Sequence, residues 1–173
     1  MNVRLAVVVA VFAVACIGEP KLAAVAAQYP RGLMATSMDD HKTCTIETRP
    51  VSFGTYDALN AQATTTQGQV IYTCGNQDEL DAIKNIRIEI SAGGAGSFDR
   101  RMSSAQDRLS YNLYLDANYH TVWGDGTGGT VYYFDPHPPN KKSVTVPVYG
   151  RIPAQQDVAY GQYADTLQAR ILF

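Results

Sequence analysis

The sequence predicts an all-β protein built as an antiparallel sandwich. Short segments in which apolar and polar residues alternate recur along the chain, Gly- and Pro-rich turns separate them, and no stretch shows a helical apolar period. The segment 84–91 is the clearest, because Ile86, Ile88 and Ile90 alternate with Arg87 and Glu89. Such alternation gives a strand one buried and one solvated face. Six or seven strands of this kind, with turns between them, are typical of a sandwich.

The other predicted strands follow the same pattern. In chain order the strands are 44–53, 67–74, 84–91, 109–116, 131–134, 143–149 and 166–173, and turn-rich pieces lie at 93–96, 124–129 and 136–140. The last strand alternates Leu167, Ala169, Ile171 and Phe173 and continues to the final residue. This pattern fits both an ordinary edge strand and a strand that pairs with another chain.

Residues 1–27 have the three parts of a secretory signal peptide. A short basic start is followed by the uncharged run 5–17 and by small residues at 24–27, where we expect cleavage after Ala26 or Ala27. The run is shorter than the roughly 20 residues that a transmembrane helix needs. The alternative is a lipoprotein acylated at Cys16, although the residues before this cysteine match a lipobox poorly.

Two cysteines, Cys44 and Cys74, remain after the predicted cleavage. An isolated pair in an oxidising compartment indicates one disulfide. Neither cysteine belongs to a CxxC pair, which argues against a zinc site. The cysteines therefore support export.

The composition and motifs argue against several functional classes. The chain has 173 residues, 17% of them charged, and a net charge of -2, which argues against a nucleic-acid-binding protein. His41, His120 and His137 lack metal-ligand spacing, and Asp125 lies in a Gly-Asp-Gly sequence that fits a tight turn better than a calcium loop. We therefore expect no catalytic residues, no metal, no cofactor and no enzymatic activity.

Trp123, Tyr132 and Tyr133 form a candidate ligand platform. Aromatic rings that are grouped in this way could stack on a sugar. In a β protein they are also typical of core or edge packing.

Several sequence pieces in a fixed order carry a family resemblance. They are 44–46, 51–56, 68–74, 88–93, 101–102, 109–116, 123–126, 148–156 and 161–167, of which LSYNLYLD at 109–116 with WGDG at 123–126 is the most specific. The chain resembles the spore coat protein U domain, which is shared with subunits of archaic chaperone–usher pili of Gram-negative bacteria.

The resemblance implies an incomplete immunoglobulin-like β-sandwich that is completed by a donor strand. The missing strand leaves a hydrophobic groove, which a periplasmic chaperone fills first and the N-terminal extension of the next subunit fills later. By this resemblance, Cys44 and Cys74 form the family disulfide. Leu167, Ala169, Ile171 and Phe173 face the core and line the groove.

The expected organisation is a signal peptide at 1–27, an N-terminal extension and possible donor strand at 28–43, and the spore coat protein U-type domain at 44–173. The extension alternates only weakly, through Leu33, Ala35 and Ser37, and Pro30 and Gly32 disfavour a strand there. This pattern departs from the continuous apolar alternation that a donor strand needs.

The expected function is that of an exported structural subunit of a surface pilus, which serves adhesion or biofilm formation. Its expected partners are a periplasmic chaperone, an outer-membrane usher and other pilus subunits, with no nucleic acid and no membrane span after cleavage. The alternatives are a secreted carbohydrate-binding adhesin and a spore or envelope coat protein.

Overall fold

The computed structural model describes residues 5–13, 43–75, 83–105 and 107–173. These residues form β1 (Leu5–Ala13), β2 (Thr43–Arg49), β3 (Val51–Tyr56), β4 (Thr64–Gly75), β5 (Ile86–Ile90), β6 (Arg101–Ser103), β7 (Arg108–Ser110), β8 (Asn112–Tyr114), β9 (Tyr133–Asp135), β10 (Ser143–Ile152) and β11 (Tyr163–Leu172). A short 3₁₀ turn covers Gly93–Ala95. The prediction of an all-β protein is confirmed.

The strands form two sheets. The first sheet has the order β3-β1-β11-β5-β9, with β6 paired to both β11 and β7, and the second has the order β2-β4-β10-β8. Neighbouring strands in both sheets are antiparallel except β1 and β11, which are parallel. The prediction of an antiparallel sandwich therefore describes every pair of named strands but this one.

The core lies between the two sheets and is filled by the alternate residues that the sequence pattern indicates. Ile86, Ile88 and Ile90 are fully buried, and so are Leu167 and Ala169. The remaining large buried side chains come from both sheets and from the loop before β9, and they include Tyr56, Tyr72, Met102, Leu109, Leu113, Trp123 and Tyr163. Burial of each large apolar side chain contributes about 1.5–3 kcal/mol, so this alternation is a main source of stability.

Two predicted strands are divided in the structure, and one short strand was not predicted. The segment 44–53 is divided at Pro50 into β2 and β3, which lie in different sheets. The segment 109–116 is divided at Tyr111, because β7 pairs with β6 in the first sheet and β8 pairs with β10 in the second. The β6 strand was not predicted, since three residues are too few to show an alternating pattern.

The β1 strand lies within the segment that the sequence assigns to a signal peptide. The structure is that of the chain before any cleavage, so β1 and the expected removal of residues 1–27 belong to different stages of the same protein. Cleavage after Ala26 or Ala27 and acylation of Cys16 concern residues outside the described part of the chain. The extension 28–43 is also outside it, except for Thr43 at the start of β2.

Candidate strand-accepting site

The first sheet contains a groove between β3 and β11 that takes one further strand, and we call it the acceptor groove. In the full chain β1 fills this groove. Val7 to Ala13 pair with Tyr163 to Ala169 of β11, and Leu5 to Val9 pair with Val51 to Tyr56 of β3. Because β1 is bonded on both sides, β3 joins the rest of the sheet through this strand.

One wall of the acceptor groove is the first part of β11. Its inward-facing residues over the stretch paired with β1 are Tyr163, Asp165, Leu167 and Ala169, and all four are buried. The alternate residues Ala164, Thr166 and Gln168 are exposed on the outer face. The wall is therefore apolar except at Asp165.

The other wall is β3, which contributes the buried residues Val51, Phe53 and Tyr56. The register with β1 shifts between Val7 and Val8, so that β3 carries an irregularity near Phe53 and Gly54. Gly54 has a φ of 69°, which favours glycine at this position. An irregularity of this type bends a strand and adjusts where its side chains point.

Asp165 is the polar group of the groove wall and is held by three hydrogen bonds from its own domain. The Tyr111 hydroxyl donates to its Oδ2 at 2.8 Å, and the backbone N–H groups of Gly94 and Thr166 donate to Oδ1 at 3.0 and 2.8 Å. Burial, followed by the charge of Asp165, raises the pKa of Tyr111 above its ordinary value of 10.0. The carboxylate is therefore compatible with a buried wall, because its oxygens are satisfied within the fold.

A second hydrogen-bond cluster fixes the end of β3. The Tyr56 hydroxyl donates to the Pro153 carbonyl at 3.1 Å and accepts from the Gln156 N–H at 2.9 Å. The Gln156 amide in turn bonds both the N–H and the C=O of Ser110. The segment that follows β10 therefore holds the β3 wall in place.

The interior on the other side of β11 is organised by a buried arginine. Arg100 donates to the carbonyls of Ile90, Ser91 and Trp123 and to Oδ1 of Asn112, with the shortest bonds at 2.7 Å. Burial lowers the pKa of the Arg100 guanidinium to about 10, so that it stays charged at neutral pH. This side chain connects the end of β5 to β8 and to the loop before β9.

Residues 31–170 match the Spore Coat Protein U domain. The chain belongs to the Spore Coat Protein U domain family. It is also 40% identical to Protein U of Myxococcus xanthus, in a match that covers 71% of each chain.

A solved structure supports the same fold. The chain is similar to a chain of the crystal structure of the CsuC–CsuE chaperone–tip adhesion subunit pre-assembly complex, from the archaic chaperone–usher Csu pili of Acinetobacter baumannii. The TM-score is 0.53 at 17% identity, and the match covers 76% of this chain and 40% of that chain. The Spore Coat Protein U domain of this chain therefore has the immunoglobulin-like sandwich that the resemblance implies.

The four predicted groove residues occupy different places. Leu167 and Ala169 are fully buried and lie in the stretch that pairs with β1. Ile171 is also fully buried but pairs with Ile88 of β5, and Phe173 lies beyond the end of β11 with 38% of its surface exposed. Sequence reasoning missed Tyr163 and Asp165, although the alternation continues back through them.

The disulfide of this Spore Coat Protein U domain joins Cys44 of β2 to Cys74 of β4, two residues that are paired in register with their Cα atoms 4.1 Å apart. Both cysteines are buried in the second sheet. They therefore support the sandwich from the sheet opposite the acceptor groove. A loop with a sequence separation of 30 gains about 3–4 kcal/mol from such a bond in the chain-entropy model.

The predicted aromatic platform is wrong for one of its three residues. Trp123 is fully buried, and its indole N–H donates to the Ile88 carbonyl at 3.0 Å. Tyr133 packs against it with ring centroids 6.1 Å apart, and Tyr132 lies under the Arg87 guanidinium. Trp123 is therefore a core residue, and the half-buried Tyr132 and Tyr133 do not share a stacking surface with it.

The described residues contain no group of three or more His, Cys, Asp and Glu that could hold a metal ion. His120 and His137 are exposed, and His41 lies outside the described part of the chain. Asp125 accepts two hydrogen bonds from Thr127, which hold a tight turn as its sequence predicts. No helix among the described residues combines the length and apolar character that crossing a membrane requires.

Proposed function

We propose that the mature chain is an exported structural subunit of a chaperone–usher surface pilus and assembles by donor-strand complementation. The observation that carries this proposal is that the strand bonded to both walls of the acceptor groove is residues 5–13, which the sequence assigns to a signal peptide. Removal of residues 1–27 would leave both walls without their neighbour. Another chain would then have to supply the missing strand.

The chemistry of the groove suits this type of assembly. An added strand gains main-chain hydrogen bonds on both sides, and its alternate side chains can cover Leu167, Ala169 and Phe53. Exposing such walls to water would favour aggregation, because two unpaired strand edges would flank an apolar surface. A chaperone that lends a strand would prevent this.

The proposed partners are a periplasmic chaperone, an outer-membrane usher and further pilus subunits. The family assignment supports a structural rather than an enzymatic role. The similar solved chain comes from a chaperone–subunit complex, which supports the chaperone as a partner. The proposed location is the periplasm and then the cell surface of a Gram-negative bacterium, where the fibre serves adhesion or biofilm formation.

The test is export of the full gene product to a bacterial periplasm, with and without a chaperone from the same gene cluster. We expect a mature N-terminus at residue 27 or 28, and aggregates or polymers when the chaperone is absent. Co-expression should replace them by a soluble one-to-one complex, measured by light scattering on the purified material. A stable monomer that ignores the chaperone would contradict the proposal.

A coat protein is the second candidate function, because the family description itself refers to a spore coat. Cell fractionation separates the two candidates. A pilus subunit should be sheared from the surface as fibres, whereas a coat protein should remain with the spore or envelope fraction.

A further inference from the structure

A concavity of about 450 Å³ lies on the outer face of the first sheet, the face opposite the core. Its lining includes Glu89, Phe98, Asp125, Thr127, Gln168 and Arg170. Gln168 and Arg170 are exposed residues of β11 that alternate with the buried groove wall. The concavity therefore shares a strand with the acceptor groove but faces the opposite side of the sheet.

Three side chains around the concavity have hydrogen-bonding capacity to spare. Asp125 accepts both bonds from Thr127 through Oδ1, so that Oδ2 is available to a ligand. The backbone of Gln168 is fixed by bonds to Ser91, at 2.9 Å each, while its side-chain amide is exposed. Arg170 donates to Glu89 through Nη2 at 2.8 Å, which leaves Nη1 and Nε outside this pair.

An aromatic ring completes the wall. Phe98 is half-buried, and the Arg100 guanidinium lies 5.1 Å from its ring centroid. A Cβ added at Gly124 would clash with the Thr130 side chain and would lie 2.7 Å from Cε1 of Phe98, so only glycine leaves room for both side chains there. Phe98 also borders a second concavity, of about 440 Å³, that contains Asp99. One ring is thus shared by two polar concavities.

We propose that this surface binds a neutral saccharide, with one sugar unit in each concavity. Sugar hydroxyls both donate and accept hydrogen bonds, which matches a carboxylate, an amide and a guanidinium around one site. The apolar C–H face of a sugar ring packs on an aromatic side chain such as Phe98. Asp99 and Asp125 disfavour an acidic sugar by charge repulsion.

The Gln168→Ala variant tests the site with little risk to folding, because the side chain is exposed and its backbone bonds remain. Gln67→Ala is the matched control, since Gln67 is an exposed strand residue of the same type in the second sheet. Methyl glycosides of glucose, galactose, mannose and N-acetylglucosamine are titrated into the purified full chain, followed by backbone amide NMR shifts.

We expect at least one glycoside to shift amides near residues 89–91, 96–98, 125–127 and 168–170. The Gln168→Ala variant should weaken that binding by about five-fold, the change that one lost hydrogen bond gives, while Gln67→Ala leaves it unchanged. Absence of shifts with all four glycosides would overturn the proposal. Equal affinities for the two variants would overturn it as well. Neither outcome depends on whether the chain assembles into a fibre.

Discussion

At the scale of single residues, a small number of buried polar groups give the core its specificity. Asp165 lies in an otherwise apolar wall, with 8% of its surface exposed, and Tyr111 donates a hydrogen bond to it from the segment where the chain changes sheets. A buried carboxylate without such donors would cost several kcal/mol. The Tyr111–Asp165 bond therefore links the position of β11 to the crossing between β7 and β8.

The Tyr111→Phe variant should reveal this bond through its pH dependence. Because the pKa of Tyr111 is raised in the folded state, the protonated phenol stabilises the fold fully at pH values below the ordinary tyrosine pKa of 10.0. This stabilisation is lost as the pH rises above 10.0 towards the pKa of the folded state. At neutral pH the variant should lose about 1.5–3 kcal/mol, as for a hydrogen bond to a charged group. Urea unfolding at about pH 8 and about pH 11 should show that the free energy of unfolding falls less between these pH values in the variant than in the native chain.

The control is Tyr160→Phe, since Tyr160 is 73% exposed. The free energy of unfolding of this control should fall between the two pH values by as much as that of the native chain. If Tyr111→Phe gives the same fall, ionisation of Tyr111 is not coupled to unfolding and its pKa is not raised in the folded state.

Sequence reasoning at this scale succeeded where a residue follows a local pattern. Leu167 and Ala169 were predicted from alternation, and Cys44 and Cys74 from their number. For Trp123 the sequence leaves a surface platform and core packing both open, because it does not show which faces of a loop meet the core. The bond from its indole to Ile88 joins residues far apart in the chain, and local patterns contain no such information.

At the scale of secondary-structure elements, one buried side chain connects several strands and loops. Arg100 precedes β6 and reaches the end of β5, β8 and the loop that contains Trp123. A charged group is costly to bury unless its hydrogen bonds are made, and this guanidinium bonds to three carbonyls and one amide oxygen. The arginine therefore fixes how the first sheet meets the second.

The Arg100→Met variant should lower the free energy of unfolding by about 2–5 kcal/mol, because it leaves several buried carbonyl groups without donors. Arg101→Met is the matched control, since the neighbouring arginine is exposed and its change should stay within about 0.5 kcal/mol. Urea denaturation of both variants measures the difference. Equal effects would mean that the buried bonds of Arg100 add nothing beyond those that water provides.

Most elements could be predicted from the sequence, and the exceptions have physical reasons. Seven alternating segments correspond to strands, but Pro50 and Tyr111 divide two of them because the chain changes sheets there. The run of apolar residues in β1 shows no alternation. The three-part pattern of a signal peptide assigns it to export, and its pairing with β3 and β11 is a long-range contact that no local pattern indicates.

At the scale of the whole molecule, the full chain and the proposed mature chain differ in one strand. The full chain completes its first sheet with its own residues 5–13. The mature chain would contain the same walls, the same disulfide and the same core, but would need its strand from a partner. In this proposal, processing converts a self-completed sandwich into a subunit that can only be stable in an assembly.

This view predicts an effect of backbone substitutions in β1. The strand pairs with β11 on one side and with β3 on the other, and Ala10 is paired with Thr166 of β11. Ala10→Pro removes a backbone N–H from this strand and should lower the free energy of unfolding of the purified full chain by about 1–3 kcal/mol. The control Ala10→Val keeps the N–H and should stay within about 0.5 kcal/mol of the native chain, and urea unfolding measures both variants. Equal stabilities would mean that β1 is not paired in the sheet, and the main argument for a strand-accepting subunit would then fail.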